Sequence, residues 1–184
     1  MRLFSSVNSD NLMDFLLTAG RLKNIPRTGW VESGIENPES VADHSFRTAF
    51  TVMALSDYYG LDTCKAVRMA LLHDLGEAEI GDITPMMKTE DHKESENKAM
   101  EKILVRLNEP QRRLYWETWL EYQGKETPEA ILVHDADKIE MLLQASEYQR
   151  HFPDARMDRF WDTMISPMRK EILDKIKERK TTQS

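Results

Sequence analysis

Several histidines stand directly beside an aspartate, among them those in the pairs Asp43-His44, His73-Asp74 and His134-Asp135. Imidazole nitrogens and carboxylate oxygens together suit divalent zinc, manganese, iron or cobalt. One such pair alone is more typical of a helix cap or a solvated ion pair. The pair His73-Asp74 is more informative because it follows the apolar residues 70–72, where an unpaired buried carboxylate is costly. We therefore expect Asp74 to face a cation.

A metal site of this kind needs ligands from several helices. His44 lies near the start of one predicted helix, the pair His73-Asp74 ends the next, and a further acid lies on a helix that begins near Pro128. Side chains on facing helices of a bundle form such sites. The further acid is Asp135 or Asp137, which point about 200° apart on a helix. Each shares a stripe with apolar residues, so periodicity leaves both open.

The composition favours helices as the elements that position these residues. Only 7 Gly and 7 Pro occur, helix formers dominate, and no segment alternates with the period of a strand. We predict an all-α, compact bundle of six or seven helices with ordered loops at 26–38 and 77–88. The first predicted helix begins at Ser9 or Asp10 and ends before Pro26. The other predicted helices cover about 40–59, 63–76, 91–107, 109–122, 128–150 and 154–179.

Length and charge narrow the class of protein. A chain of 184 residues is typical of one domain, so we predict a single domain over 1–184. A net charge of −7 disfavours nucleic-acid binding, which needs a basic face. No apolar run approaches the roughly 18 residues of a membrane span, and the N-terminus does not read as a signal peptide. With Cys64 as the single cysteine, we expect a soluble, cytoplasmic protein.

Four segments resemble a known family and cover about residues 20–150. They are PRTGWV, PESVADHS, ALLHDLGEAEIGDITP and DADKIEMLLQASEY. Together they are similar to the HD-domain metal-dependent phosphohydrolases, in the branch of the 5′-deoxynucleotidases. The resemblance implies an HD-domain fold and hydrolysis of the 5′-phosphate of deoxyribonucleoside monophosphates. It implies one divalent metal ion held by His44, His73, Asp74 and Asp137, and so selects Asp137 over Asp135.

The same resemblance assigns four more residues. It implies that Glu77 and Asp82 are catalytic residues concerned with protons, since a phosphate monoester needs a proton for its departing oxygen. Arg27 is expected to grip the phosphate and Trp30 to form a wall against the deoxyribose. Well-described bacterial members of the family have this Arg and Trp adjacent, whereas Thr28 and Gly29 separate them here.

Several properties stay open at this point. The donor set does not distinguish Mn, Co, Zn, Fe, Ni, Cu or Mg, and the preference for a base is not readable. A homodimer is expected from the resemblance, with modest support from apolar residues at helical spacing: Met157, Phe160, Trp161, Met164 and Met168. The alternative functions are a non-catalytic HD module that binds a nucleotide or metal, and a phosphodiesterase of another HD branch.

Overall fold

The computed structural model describes residues 9–84, 87, 89–161 and 170–182, and these residues are mostly helical. The helices are α1 (Ser9–Gly20), a 3-10 helix (Arg21–Asn24), α2 (Thr28–Glu32), α3 (Val41–Tyr59), α4 (Thr63–Leu72), α5 (Glu77–Ile80), α6 (Glu90–Leu104), α7 (Glu109–Gly124), α8 (Pro128–His151), α9 (Asp158–Trp161) and α10 (Lys170–Thr182). In these described ranges, seven helices have ten residues or more. Extended pairing there is limited to a bridge between Pro26 and Ser40. The predicted all-α fold is confirmed.

Helix α3 has the boundaries that the sequence predicts. The Ser40 hydroxyl accepts a hydrogen bond from the Asp43 N–H at 3.1 Å, and the Asp43 carboxylate accepts from the Ser40 N–H at 2.9 Å. This reciprocal capping box satisfies two backbone donors that the first turn leaves free. At the other end Gly60 adopts φ 67°, a left-handed conformation that favours glycine. Asp43 is thus a capping residue, which accounts for the pair Asp43-His44.

Helices α3, α4 and α8 pack against one another and enclose the main core. Residues from each are fully buried there, among them Val52 of α3, Met69 of α4 and Val133 of α8. Helix α7 covers α4 and α8, α6 packs on α5 and α7, and α10 packs on α8. None of the helices in the described ranges is both long and apolar enough to cross a membrane. The predicted metal ligands lie on α3 and α8 and directly after α4.

Two segments predicted as loops each contain a short helix. The segment 26–38 includes α2, where the Val31 N–H donates to the Arg27 carbonyl at 3.3 Å. The segment 77–88 begins with α5, closed by the Gly81 N–H donating to the Glu77 carbonyl at 2.8 Å. Single helical turns are too short to show a hydrophobic period, so the glycines and prolines around them dominated the prediction.

The predicted helix over 154–179 is wrong at its start. After α8 ends, residues 152–157 are not helical, and α9 begins only at Asp158. A turn closes where the Ala155 N–H donates to the Phe152 carbonyl at 3.1 Å, and Met157 is then buried against the core. Residues 162–169 lie outside the described residues, and α10 resumes at Lys170. Packing of Met157 and Phe160 fixes this irregular path, and packing is not visible in a local pattern.

Candidate metal centre

Four of the predicted site residues converge where α3, α4 and α8 meet. The Nε2 atom of His44 lies 3.3 Å from Asp137 Oδ1, 3.4 Å from His73 Nε2 and 3.6 Å from Asp74 Oδ2. His73 Nε2 and Asp74 Oδ2 are 3.1 Å apart. The donor atoms of His44, His73 and Asp74 all lie within 4.8 Å of one another. The structure therefore gathers His44, His73 and Asp74 into one cluster and places the Asp137 carboxylate against His44.

This arrangement fits a divalent cation. Metal bonds to imidazole and carboxylate of about 2.1 Å place neighbouring donor atoms roughly 3 to 3.5 Å apart. The three separations from His44 Nε2 and the separation between His73 and Asp74 fall in or close to that range. The carboxylates of Asp74 and Asp137, which both lie within 3.6 Å of His44 Nε2, also need positive charge to offset their repulsion. Both properties are those of a metal-binding cluster.

The choice between Asp135 and Asp137 follows from geometry and not from burial. Both side chains are buried in α8. Asp137 points its carboxylate at His44, whereas a residue two positions earlier faces about 200° away on the helix. Distance to His44 therefore favours Asp137 where the hydrophobic period could not decide.

Each histidine ring is oriented through its other nitrogen. His73 Nδ1 lies 2.6 Å from the Ala70 carbonyl and donates to it, which turns Nε2 toward the cluster. His44 Nδ1 makes a short hydrogen bond to a carboxylate oxygen of Glu140. Burial and the charge of Arg27 lower the pKa of His44, but the hydrogen bonds to Asp137 and Glu140 outweigh them and raise that pKa to about 9. Without a metal the cluster thus retains a proton.

Sequence reasoning missed Glu140, which is fully buried beside the cluster. It lies three residues after Asp137 in α8, so both side chains lie on the same side of the helix. That spacing was the available signal, but an acid three residues from another acid also occurs on solvated helix faces. Burial, which the sequence does not show, separates the two cases.

Arg27 and Asp82 lie beside the cluster and contact each other. Arg27 Nη1 is 3.3 Å from Asp74 Oδ2 and 3.0 Å from Asp82 Oδ1. Burial lowers the pKa of Arg27, but the carboxylates of Asp74 and Asp82 raise it above its ordinary value, so the guanidinium stays charged. Asp82 Oδ2 also accepts the Thr28 N–H at 2.5 Å. Asp82 therefore fixes the segment that carries Arg27.

Glu77 lines a cleft next to the same cluster. The cleft has a volume of about 490 Å³, within the usual range for small-molecule sites. It lies between the turn after α4 and helices α6, α7 and α8, and is lined by residues that include His73, Asp74, Glu77, Tyr122, His134 and Lys138. Lys138 Nζ pairs with Asp137 Oδ2 at 3.1 Å. The acid Glu77, the cation Lys138 and two residues of the metal cluster therefore line the same cleft. Lys138 is a second residue that sequence reasoning missed.

Trp30 is placed differently from the expected sugar wall. Its side chain is 2% exposed and packs with its ring centroid 4.2 Å from that of Phe160 and 5.3 Å from that of Tyr148. The indole Nε1–H donates to Glu39 at 2.8 Å. Trp30 is therefore a core residue beside the site, and this packing does not present its ring to a ligand in the cleft.

The other histidines have local partners. His134 Nε2 donates to the Tyr122 carbonyl at 2.9 Å, and its ring stacks on Tyr122 with centroids 4.1 Å apart. Burial lowers the pKa of His134 to about 4, so this ring is neutral near pH 7. His92 pairs with Glu96 at 3.1 Å, and His151 Nδ1 contacts the Glu147 carbonyl at 2.9 Å. These contacts agree with the interpretation that none of the three is a ligand.

Comparison with known proteins finds the same motif-bearing region in other chains. The family model described as "HD domain" matches residues 19–180. The chain is 41% identical over 165 residues to the 5′-deoxynucleotidase HDDC2 of Homo sapiens, covering 87% of this chain and 79% of that protein. It is 40% identical over 155 residues to the 5′-deoxynucleotidase hdd1 of Schizosaccharomyces pombe, covering 80% and 77% respectively.

A solved structure shares the architecture as well as the sequence. A conserved hypothetical protein from Pyrococcus furiosus superposes with a TM-score of 0.79 at 38% identity, covering 90% of this chain and 99% of that chain. The family match runs from the end of α1 into α10 and includes every residue of the metal cluster. The chain therefore belongs to the HD domain family.

Proposed function

We propose that this protein is a metal-dependent 5′-deoxynucleotidase, a phosphoric monoester hydrolase that removes the 5′-phosphate of deoxyribonucleoside monophosphates. The observation that carries the proposal is the convergence of His44, His73, Asp74 and Asp137 beside a cleft that also holds Glu77. The two relatives named above carry the name 5′-deoxynucleotidase and are similar over most of the chain.

His44, His73, Asp74 and Asp137 are the residues that would hold one divalent cation. When bound, such an ion neutralises charge on phosphoryl oxygens and lowers the pKa of a water molecule that it holds, so that the water becomes a nucleophile at neutral pH. The set of two nitrogens and two carboxylates accepts Mn, Co, Zn, Fe, Ni, Cu or Mg to different degrees. The native metal is therefore to be found by measurement.

Arg27 and Lys138 supply positive charge for the substrate phosphate. Asp74, Glu77 and Asp137 together place considerable negative charge around the cleft, and a phosphate monoester is itself an anion. Arg27 forms an ion pair with Asp74, and Lys138 forms one with Asp137, so each cation contacts the carboxylate of a proposed metal ligand. A guanidinium in this place can bind two phosphoryl oxygens. Both cations thus help the site to accept an anionic ligand.

Glu77 is the residue that we propose to donate a proton to the departing 5′-oxygen. It is buried at the first residue of α5 and faces the cleft. Asp82 has a different environment, since its two oxygens accept hydrogen bonds from Arg27 and from the Thr28 N–H. The geometry supports a role for Asp82 in holding Arg27 rather than in moving protons.

The central experiment measures phosphate release from ribo- and deoxyribonucleoside 5′-monophosphates. Chelator-stripped protein is reloaded with each divalent metal in turn. Loaded parent protein should release phosphate, and Glu77→Ala should keep the metal but lose activity by about 10²- to 10⁴-fold, the usual worth of general acid-base catalysis. Glu79→Ala is the matched control, because Glu79 pairs outside the cleft with Lys102 and Arg21.

The outcomes of this experiment separate the proposed functions. A Glu77→Ala protein within about threefold of the parent would remove Glu77 from the mechanism. Metal and nucleotide binding without turnover by any loaded form would favour a non-catalytic module. Hydrolysis of a dinucleotide to mononucleotides, seen by chromatography, with no phosphate released from monophosphates would favour a phosphodiesterase.

The preference for the deoxy sugar is tested separately. We expect a higher kcat/KM for deoxyribo- than for ribonucleoside monophosphates, and equal values would leave only a general nucleotidase. Because Trp30 is packed between Tyr148 and Phe160, Trp30→Phe is expected to lower stability and leave the sugar ratio unchanged. A relaxed ratio in that variant would show that the indole acts as the sugar wall.

We also propose a homodimer located in the cytoplasm. Met157 and Phe160, which suggested a subunit surface, are instead buried within the chain. Support comes from another face, since Phe46 and Phe50 lie one turn apart on α3 and are 68% and 58% exposed. The acidic composition and the single cysteine are compatible with the cytoplasm.

A further inference from the structure

A buried carboxylate joins the metal cluster to a charged network between α3 and α8. Glu140 has 0% exposure, and both of its oxygens are engaged. Oε2 accepts the short hydrogen bond from His44 Nδ1, while Oε1 lies 3.0 Å from Arg47 Nε and 2.9 Å from Arg47 Nη2. A fully buried carboxylate persists only where such partners replace water.

The arginine in this network is itself held in place. Arg47 Nη2 donates to Gln144 at 2.7 Å, and Arg47 Nη1 donates to Glu147 at 2.8 Å. Arg47 lies one turn after His44 in the helix that carries that ligand, whereas Glu140, Gln144 and Glu147 form one side of α8. The guanidinium thus fixes Glu140 from the side opposite the histidine.

The two histidines of the cluster differ in the group that orients them. His73 donates through Nδ1 to a backbone carbonyl, which no substitution of a side chain removes. His44 donates to the Glu140 carboxylate, which depends on one residue. A carboxylate behind a ligating histidine fixes the tautomer and the ring angle and makes the other nitrogen a better donor to a metal.

We infer that Glu140, fixed by Arg47, is a positioning residue that sets the metal affinity of the cluster by orienting His44. This inference rests on the proposed function, because it takes His44 as a ligand. Glu140 reaches the cluster through the ring of His44, since its two oxygens contact His44 and Arg47. Its loss should therefore act on metal binding before it acts on the chemistry of the substrate.

The test measures the dissociation constant of Mn²⁺ and of Co²⁺ by competition with a chelator on metal-stripped, full-length protein. Glu140→Gln keeps the shape and removes the charge, and it should weaken binding of both ions by about 10- to 100-fold. Arg47→Met should weaken binding in the same direction by a smaller factor. Glu147→Gln is the control, because it removes only the charge of the half-exposed carboxylate that pairs with Arg47 Nη1. The metal affinity of this variant should stay within about twofold of the parent.

Three further measurements exclude a merely structural effect. The far-UV circular dichroism of the metal-free variants should match that of the parent, and the visible spectrum of bound Co²⁺ should change in Glu140→Gln, since the orientation of one ligand changes. At saturating metal, Glu140→Gln should recover much of the parent activity. A purely structural role would lower folding without altering the cobalt spectrum.

The possible failures are distinguishable. If His44→Ala binds Mn²⁺ as the parent does, the metal site of the proposed function is wrong. If His44→Ala loses the ion but folded Glu140→Gln binds it with parental affinity, the metal site stands and the role of Glu140 is overturned. Should Glu140→Gln not fold, Arg47→Met decides, and parental affinity in that variant overturns the inference.

Discussion

At the scale of single residues, the site depends on charges that are stabilised by neighbours although they are buried. Burial raises the pKa of Asp74, but His73 and Arg27 outweigh it and hold that pKa well below its usual range. Burial likewise raises the pKa of Asp137, and Lys138 and His44 reverse the effect. Both carboxylates are therefore ionised at neutral pH and available to a cation. Removal of a positive neighbour or of a ligand should therefore change the metal affinity of the cluster.

Replacement of His73 tests the ligand set directly. His73→Ala removes a nitrogen donor from the cluster. It should weaken metal binding by more than roughly 10- to 100-fold, which is the usual effect of replacing a residue that only hydrogen-bonds a ligand. Elemental analysis after dialysis measures the metal retained per chain. His151→Ala, at the end of α8 and away from the cluster, should retain the parental amount. A fully loaded His73→Ala protein would contradict the assignment.

The buried, neutral His134 predicts a dependence of stability on pH. Its pKa is about 4 in the folded chain because of burial, against an ordinary value of 6.5. The unfolded chain therefore binds more protons between these values, so the free energy of unfolding falls as the pH drops from about 6.5 to 4. The contribution of His134 is up to about 3 kcal/mol, since each pKa unit is worth about 1.4 kcal/mol.

Urea unfolding at pH 7.5 and pH 4.5 isolates this contribution. His134→Phe keeps a ring to stack on Tyr122 but does not titrate. The variant should lose less stability than the parent between the two pH values. Equal losses in the two proteins would mean that His134 does not carry this part of the pH dependence.

At the scale of elements, the first turn of α3 connects local sequence to the site. The capping box of Ser40 and Asp43 begins the helix immediately before His44, and the Val41 N–H donates to the Ile25 carbonyl at 2.8 Å. The beginning of α3 is therefore fixed both by its own side chains and by the segment that leads to Arg27. A change in the cap should affect folding and ligand position together.

A matched pair of caps tests this connection. Ser40→Ala and Asn108→Ala each remove a side chain that accepts a hydrogen bond from the first turn of a helix, α3 and α7 respectively. Each should lower the free energy of unfolding by about 1 kcal/mol in urea titrations. Only Ser40→Ala should also weaken Mn²⁺ binding. The dissociation constant should rise by up to about fivefold, because a loss of about 1 kcal/mol corresponds to that factor. Equal metal affinity in the two variants would separate the cap from the site.

The elements also show what the sequence could predict and where it failed. The ends of α3 and α8 followed from Ser40, Gly60 and Pro128, whose conformational preferences are local. The irregular segment 152–157 and the short helices α2 and α5 depend on contacts with distant residues, which no local pattern records. The same division holds in the site, where motif residues were named in advance but Glu140 and Lys138 required the packed structure.

At the scale of the whole molecule, the exposed apolar face of α3 is the feature that calls for an explanation. Phe46, Phe50 and Met53 follow helical spacing on one side of α3 and remain substantially exposed. A contiguous exposed apolar patch is typical of a surface that another chain covers. The prediction of one domain over 1–184 is consistent with the family match over 19–180 and stays a prediction.

Light scattering tests the dimer and the surface together. The parent should have twice the chain mass of 21.5 kDa at micromolar concentration. Phe50→Glu places a charge on the apolar face and should shift the protein toward the monomer mass. Tyr58→Glu, at an exposed position near the end of the same helix, should remain dimeric. A parent of 21.5 kDa would rule out the dimer at that concentration.

The convergence of ligands from α3, the end of α4 and α8 also has a mechanical consequence. A cation bound to His44, His73 and Asp137 would cross-link three helices that are far apart along the chain. At a free metal concentration of 100 times the dissociation constant, this linkage adds about 2.7 kcal/mol to the free energy of unfolding. Removal of the metal should therefore speed hydrogen exchange of the amides in the first turns of α3 and the middle of α8, while those where α6 packs on α7 exchange as before.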